Sequence, residues 1–293
     1  MLKPHGIIPA MVTPLTAEDD INEGSLRKLT NHLIAGGSHA IFAIGSQGEF
    51  WAFTREEKRR ISEIVVDEAK GRAPVYAGTA GITTREAIAL TQDAEAIGVD
   101  AVSILTPFFL SPTEPELFEH YRAIAESTSL PIVLYSNPAR TGVNISPALL
   151  SKLAQIDNVV GIKDSSGDLQ LTAQYVQTAP EGFSVLMGRD TLILAGLLYG
   201  AKGSIAATAN VKPALVVSIY ERFIEGDLVG ALEAQEALAP LRLAFSWGTF
   251  PVVIKEALDL MGMEAGPSRA PVGAMPTEKR EQLKGVLQGM GVI

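Results

Sequence analysis

Short apolar runs alternate with longer amphipathic stretches along most of the chain. Several runs follow a helical stretch that ends in glycine, such as Gly36, Gly98 or Gly200. Glycine supplies the left-handed turn that ends a helix, and a short continuous apolar run is typical of a strand buried on both faces. The pattern predicts eight strands, at residues 7–11, 40–44, 75–78, 101–105, 132–135, 159–163, 184–187 and 203–205.

The stretches between these strands carry the signals that begin helices. Thr54, Thr83 and Thr113 each stand three residues before a Glu, which is the spacing of a capping box, and Pro147 occupies a first helical position. Strand-then-helix units repeated eight times in order favour a (β/α)8 TIM barrel, an α/β fold, over an open doubly wound sheet.

The last part of the chain follows a different pattern. The eighth unit ends near Glu225, so residues 1–225 are predicted to form the barrel. Residues 226–293 contain three further helical patterns, at 228–238, 252–261 and 277–290. We predict a C-terminal helical extension that packs on the barrel or serves in assembly, rather than an independent domain.

Composition narrows the possible functions. The 293 residues are 47% hydrophobic and 19% charged, with a net charge of −9. This acidic balance disfavours nucleic acid as a partner. The chain has no cysteine and four scattered histidines, so we expect no disulfide, no metal site and no thiol nucleophile. No stretch has the length of a membrane span or the form of a signal peptide, and we expect a cytoplasmic protein.

Lys163 is the residue that most needs an explanation. It ends the sixth predicted strand, and the carboxyl ends of the strands form the working face of a TIM barrel. Burial there disfavours the ammonium form, which leaves a neutral amine able to attack a ketone. The alternative is a structural ion pair with the adjacent Asp164.

Three other features fall on the same predicted rim. The Gly45–Ser46–Gln47–Gly48 turn follows the second strand, and its backbone N–H groups could bind a carboxylate. Tyr135 ends the fifth strand and could exchange a proton beside Lys163. Arg140, five residues later, could hold a second anionic group. Each feature alone also has a purely structural explanation: a plain turn, a packing tyrosine or a solvated arginine.

Taken together, these motifs resemble the dihydrodipicolinate synthase and N-acetylneuraminate lyase family. The resemblance runs from end to end and is carried by residues 9–14, 45–49, 135–142, 161–165 and 253–257. It implies a TIM barrel with C-terminal helices, assembled as a homotetramer of two tight dimers or as a homodimer. It also implies a Schiff base between the strand-6 lysine and a 2-oxo acid such as pyruvate, with no metal or other cofactor.

The resemblance assigns roles to residues of this sequence. Lys163 becomes the Schiff-base residue and Tyr135 the proton relay, and Ser46 and Gln47 occupy the turn that binds the carboxylate of pyruvate. Three further positions fall near the second substrate, an aldehyde partner: Gly188, Asp190 and Thr208.

The sequence departs from the family in two places. The loop after the fourth strand reads Phe108–Phe109, where the synthase and the lyase carry a tyrosine, and Gln47 replaces the usual threonine of the strand-2 turn. Both changes weaken the case for the synthase. Arg140, in contrast, stands where the synthase holds the carboxylate of its aldehyde substrate.

The leading hypothesis is therefore a class I lyase, or aldolase, that forms or cleaves a C–C bond to pyruvate. Its second substrate is expected to derive from a 2-oxo acid or a 2-keto-3-deoxy sugar acid. The first alternative is 4-hydroxy-tetrahydrodipicolinate synthase, which condenses pyruvate with aspartate semialdehyde. Dehydration through the same Schiff base is a related possibility, and a barrel that binds a metabolite without catalysis is an alternative of another class.

Overall fold

Eight parallel strands form one sheet that curls into a barrel. In the computed structural model, which describes residues 2–293, each strand pairs with its neighbours in chain order, and β8 pairs with β1. A bridge between Ala10 and Phe42 joins β1 to β2. The predicted (β/α)8 fold is confirmed. The strands are β1 Gly6–Pro9, β2 Ile41–Ala43, β3 Val75–Gly78, β4 Ala101–Leu105, β5 Ile132–Ser136, β6 Val159–Asp164, β7 Ser184–Met187 and β8 Gly203–Ala206.

Helices follow the strands and continue beyond the barrel. They are α1 Glu23–Ala35, α2 Arg55–Ala69, α3 Thr84–Ile97, α4 Glu114–Ala125, α5 Pro138–Thr141, α6 Pro147–Leu153, α7 Leu169–Thr178, α8 Ile193–Leu198, α9 Pro213–Ile224, α10 Leu228–Ala244, α11 Val252–Leu260 and α12 Thr277–Gly289. The capping box predicted at Thr54 is present: its hydroxyl accepts from the Glu57 N–H, and the Glu57 carboxylate accepts from the Thr54 N–H.

Helix α10 is longer than the sequence predicts. The predicted helix stops at residue 238, whereas the observed helix continues through Pro240 to Ala244. Proline inside a helix removes a backbone hydrogen bond. Leu241 and Ala244, which follow it, are fully buried, so their burial in the core offsets that cost.

The apolar core has two layers. One lies inside the barrel and is formed by side chains from the strands and from residues next to them. The other lies between the strands and the surrounding helices, where parallel sheets are always covered. The inner layer contains Ile8, Ala10, Ala40, Phe42, Tyr76, Ala101, Val133, Val160, Leu186 and Ile205.

The C-terminal helices pack on the barrel. The boundary placed at residue 225 falls in the turn between α9 and α10. Ile254 and Leu258 of α11 and Leu283 and Leu287 of α12 belong to the same buried cluster as the outer core of the barrel. Folding of the tail is therefore coupled to folding of the barrel.

A buried ion pair connects the tail to the strand-2 turn. Lys255 Nζ lies 2.9 Å from Glu49 Oε1, and both side chains are almost wholly shielded from solvent. Lys255 also donates to the Pro267 carbonyl at 2.5 Å, and the Arg269 N–H donates to the second oxygen of Glu49 at 3.1 Å. Burial lowers the pKa of Lys255, although the charge of Glu49 opposes this shift.

Among residues 2–293, no single helix is both long and apolar enough to cross a membrane. Helix α10 with its following turn and helix α11 satisfy the length and composition criteria only as a pair, and the pair is bent by 119°.

We predict that Lys255→Met lowers the free energy of unfolding by about 3–5 kcal/mol, because it leaves the Glu49 carboxylate buried without a counter-charge. Denaturant unfolding followed by circular dichroism measures the change. The double variant Glu49→Gln with Lys255→Met should recover part of the loss. Lys284→Met, at an exposed position of α12, is the matched control. A loss no larger than that of the control would contradict a structural role for the pair.

Candidate active site

Lys163 enters the mouth of the barrel from β6. Its side chain is only 4% exposed, and Nζ lies 4.1 Å from the centre of the Tyr135 ring and 5.4 Å from that of Phe42. Tyr135 is its direct partner in the register between β5 and β6. The ammonium group therefore lies against the faces of aromatic rings, a position that attracts a cation.

An irregularity in β6 determines which side chain faces the barrel interior. The register shifts between Ile132 and Val133 of β5, so that Gly161 pairs with Val133. Because side chains alternate along a strand, a shift of one residue reverses the faces of all the residues after it. Lys163 consequently points inward and Asp164 outward.

The structural alternative for Lys163, an ion pair with Asp164, is wrong. The Asp164 carboxylate accepts from the Ser166 N–H at 2.9 Å and from the Thr172 hydroxyl at 2.7 Å, on the helical side of the strand. Within residues 2–293, Lys163 forms no ion pair. The amine is therefore available to a molecule in the barrel mouth.

A cavity of about 750 Å³ opens above Lys163 at the carboxyl ends of the strands. Seven of the eight site residues predicted from the sequence line it, namely Ser46, Gln47, Tyr135, Arg140, Lys163, Gly188 and Asp190. The eighth, Thr208, is fully buried and lies outside the lining. The volume accommodates a pyruvate adduct together with a second small substrate.

Tyr135 has a hydroxyl group surrounded by polar partners. It accepts from the Asn137 side-chain amide at 3.1 Å and lies 3.4 Å from the Ser46 hydroxyl. Burial raises the pKa of Tyr135, but the charge of Lys163 and hydrogen bonds from Ser46, Ser165 and Asn137 outweigh it and lower the pKa below its ordinary value. A phenol in this state gives up and takes back a proton more readily than an ordinary tyrosine.

The strand-2 turn presents its backbone to the cavity. The N–H groups of Ser46, Gln47 and Gly48 donate to no acceptor within residues 2–293. A Cβ atom on Gly45 would lie 2.5 Å from the Phe42 ring, and one on Gly48 would lie 3.0 Å from the backbone nitrogen of Ile44, the residue after β2. The close packing therefore requires both glycines, and the free N–H groups between them suit a carboxylate.

The strand-2 turn brings a hydroxyl next to Tyr135. The sequence has Gln47 in place of the usual threonine of this turn, but the hydroxyl of the preceding residue, Ser46, lies 3.4 Å from the Tyr135 hydroxyl. The Gln47 side-chain oxygen is shielded from solvent and has no hydrogen-bond partner within residues 2–293.

Asp190 and Thr208 form a pair beneath the cavity. The Thr208 N–H and hydroxyl both donate to one oxygen of the Asp190 carboxylate at 2.6 Å. Gln235 of α10 donates to the Asp190 carbonyl at 2.9 Å. Thr208 therefore acts on the cavity only through Asp190. Gly188 is required beside them, because a Cβ atom there would lie 2.0 Å from the Ser165 hydroxyl.

The strand-4 loop brings no hydroxyl to the cavity. Phe108 lines the cavity and packs edge-to-face against Phe50 at 5.8 Å. Phe109 is 98% exposed and has a left-handed backbone, with φ of 76°. In a single chain, this loop therefore contributes only apolar surface to the site.

Several residues that line the cavity were not among those predicted. Asn137, Ser165 and Arg189 lie within two residues of a strand end, so their position on the rim was a usable signal. The tail residues carried no such signal, because nothing in the sequence indicates that the tail reaches the barrel mouth. They are Arg242, Phe245, Thr249, Phe250, Pro271 and Val272.

Within residues 2–293, no three His, Cys, Asp or Glu side chains lie close enough together to hold a metal ion. The charged groups that line the cavity are instead one carboxylate and four cations, and each of the four comes from a different segment of the chain. They are Asp190, Lys163, Arg140, Arg189 and Arg242.

Comparison with known proteins agrees with the fold. The model of the dihydrodipicolinate synthetase family matches residues 3–290. The chain is 38% identical to the 4-hydroxy-tetrahydrodipicolinate synthase of Methanopyrus kandleri, over 99% of this chain and 97% of that protein. The chain belongs to the dihydrodipicolinate synthetase family. It is an enzyme, a lyase of that family, and the alternative of a non-catalytic barrel is set aside.

Two solved structures are close to this one. Dihydrodipicolinate synthase from Thermotoga maritima superposes with a TM-score of 0.97, at 30% identity over 100% of both chains. Dihydrodipicolinate synthase from Acinetobacter baumannii, crystallised in complex with pyruvate, superposes with a TM-score of 0.96. It is 34% identical and covers 99% of each chain.

We predict that Tyr135 ionises below the ordinary tyrosine pKa of about 10. The titration is read from the ultraviolet absorbance of tyrosinate, as the wild-type curve minus that of Tyr135→Phe. Lys163→Met should move this midpoint upward, because it removes the positive charge that stabilises the phenolate. Lys202→Met, which removes an exposed lysine at the other end of the barrel, should leave it unchanged. A midpoint unaffected by Lys163→Met would refute the coupling.

Proposed function

We propose that this enzyme is a Schiff-base lyase that forms or cleaves a C–C bond to pyruvate. Its substrates are a 2-oxo acid or 2-keto-3-deoxy sugar acid and the corresponding aldehyde. The observation that carries the proposal is Lys163, a buried amine without a carboxylate partner in residues 2–293, at the floor of the cavity and against Tyr135. The pyruvate complex of a structural neighbour supports the same substrate.

The site residues divide the proposed chemistry among them. Lys163 first gives up a proton to solvent, its free amine then attacks the ketone carbon of pyruvate, and loss of water gives an iminium. The iminium withdraws electrons from the adjacent carbon, which then loses a proton to form an enamine and attacks the aldehyde. Cleavage is the reverse of these steps.

Two groups of the site assist these reaction steps. The free N–H groups of Ser46 and Gln47 suit the pyruvate carboxylate, as the turn geometry allows. Tyr135 carries a proton to and from the reacting oxygen, and Ser46 and Asn137 hold its hydroxyl in place. No metal enters these steps in our proposal.

4-Hydroxy-tetrahydrodipicolinate synthase activity is the second candidate. It is favoured by the name of the Methanopyrus kandleri relative and by Arg140, whose guanidinium lies over the Phe250 ring at 4.9 Å without an ion-pair partner in residues 2–293. It is disfavoured by the strand-4 loop, where Phe108 and Phe109 offer no hydroxyl. Dehydration of a sugar acid through the same Schiff base is a variant of the first proposal.

We also propose that the enzyme is a cytoplasmic homotetramer or homodimer. Large apolar side chains are exposed on the strand-4 loop, at Phe109 and Leu110, and on α10, at Val229 and Leu232. A second copy of the chain would bury such surface. Light scattering of the purified protein measures the mass, and a value near the 31.1 kDa of one chain would reject the assembly.

We predict that borohydride reduction in the presence of pyruvate adds the mass of one reduced pyruvate adduct to the protein, at Lys163. Peptide mass spectrometry locates the adduct. Lys163→Ala should carry none, whereas Lys202→Ala should be labelled like the wild type. Prior treatment with a metal chelator should not reduce labelling. An adduct that persists in Lys163→Ala, or the absence of an adduct in the wild type, would contradict the Schiff-base mechanism.

We predict that pyruvate is released when the enzyme is offered 2-keto-3-deoxy sugar acids, as followed by coupling to lactate dehydrogenase. In parallel, the protein is assayed with pyruvate and aspartate semialdehyde for synthase activity. Because the two reactions share the Schiff base, the ratio of their kcat/KM values assigns the function. Turnover only with aspartate semialdehyde would replace the first candidate with the second.

A further inference from the structure

Most arginines of this protein are paired with carboxylates, but those of the cavity are not. Nine of the thirteen arginines form ion pairs within residues 2–293. Of the four that do not, three line the cavity: Arg140, Arg189 and Arg242. The fourth, Arg85, is exposed on α3. A chain with a net charge of −9 has acidic groups to spare, so this grouping is a property of the site.

Arg189 is held in position by the backbone next to Lys163. Its Nε–H donates to the Ser165 carbonyl at 2.9 Å, two residues beyond Lys163. Gly167, with φ of 82°, packs beside the arginine, where a Cβ atom would lie 3.5 Å from Nε. One donor of the guanidinium thus sets the orientation, and its terminal NH2 groups remain free to bind an anion.

The three arginines surround Lys163 on different sides. Arg140 follows β5 and Arg189 follows β7, the two strands that flank β6. Strand spacing puts the ends of β5 and β7 about 10 Å apart, on either side of the strand that carries Lys163. Arg242 comes from α10 in the tail and lies 4.9 Å from the Phe245 ring. An acidic molecule that reaches across the cavity would therefore meet arginine at more than one end.

The charge balance of the cavity indicates how many acidic groups the second substrate carries. Its only carboxylate within residues 2–293 belongs to Asp190, and Thr208 already donates to that group. Once pyruvate is bound, its carboxylate balances the iminium on Lys163. Three arginines against Asp190 then leave two positive charges unbalanced in a partly desolvated space, where charge pairing matters more than in water.

We propose that Arg189 and Arg242 form a second anion subsite, separate from Arg140, and that the partner substrate carries two acidic groups. One group binds at Arg140 and the other at Arg189 and Arg242. Both groups are carboxylates, or one is a phosphate. This inference rests on the proposed function for the identity of the first substrate, but the subsite itself can be measured without turnover.

The test is calorimetric titration of inert acids into the free enzyme and into the enzyme reduced with pyruvate. Butyrate carries one carboxylate, glutarate two, and 3-phosphonopropionate a carboxylate and a phosphonate. Hydrogen bonds to charged groups contribute about 1.5–3 kcal/mol, so a two-group acid should bind about tenfold to a hundredfold tighter than butyrate. If glutarate binds more tightly than 3-phosphonopropionate, the subsite prefers a carboxylate; if it binds less tightly, the subsite prefers a phosphate.

Variants assign the effect to the two arginines. Arg189→Gln and Arg242→Gln should each remove most of the preference for two-group acids, measured as the ratio of the glutarate affinity to the butyrate affinity. Arg85→Gln removes the same charge outside the cavity and should retain the preference, which separates local binding from long-range attraction. Arg189→Lys keeps the positive charge but lacks the planar guanidinium group, and it should retain part of the preference. Thermal unfolding verifies that each variant is folded.

Two results would overturn the subsite. The first is that glutarate and 3-phosphonopropionate bind no more tightly than butyrate. The second is that Arg189→Gln and Arg242→Gln lose no more of the preference than Arg85→Gln. The result is independent of the Schiff base: a preference that depends on Arg189, in a protein that forms no adduct at Lys163, would keep the subsite and reject the proposed reaction.

Discussion

The ion pair between Glu49 and Lys255 joins the two parts of the chain that together form the site. Glu49 follows the strand-2 turn directly, and Lys255 lies on α11, a helix of the tail. The same carboxylate binds the Arg269 N–H, just before Pro271 and Val272 in the cavity wall. Because a buried charge without its partner is costly, the pair holds the turn and the wall in a single arrangement.

The binding properties of the cavity depend on the positive charges that have no carboxylate partner. Acidic groups pair with nine of the thirteen arginines, whereas Lys163 and the three arginines of the cavity have no ion pair in residues 2–293. Asp164, the nearest carboxylate in the sequence, is turned away toward Thr172. An acidic protein thereby keeps a locally positive cavity suited to anionic 2-oxo acids. The charge of Lys163, with hydrogen bonds from Ser46, Ser165 and Asn137, outweighs burial and lowers the pKa of Tyr135.

The parts of the site that the sequence predicts are those at strand ends. Lys163, Tyr135 and the strand-2 turn could be found because the barrel places all strand ends at one rim. Thr208 was predicted to lie near the second substrate, but its side chain lies beneath the cavity and donates to Asp190. Arg189 shared the rim with the predicted residues, yet a single arginine on a loop gave no reason to choose it. Arg242 and Phe250 lie far along the chain, and their approach depends on how the tail folds back.

The sequence by itself determined the alternation of strands and helices, the barrel and the position of Lys163 at a strand end, because these follow from local patterns of apolar residues, caps and glycines. Only the tertiary structure decided which way Lys163 points, since this depends on the register shift in β6, and whether Asp164 pairs with it. It also decided which cations share the cavity. Charge pairing is a matter of distance between segments that are remote in the chain, and no local pattern encodes it.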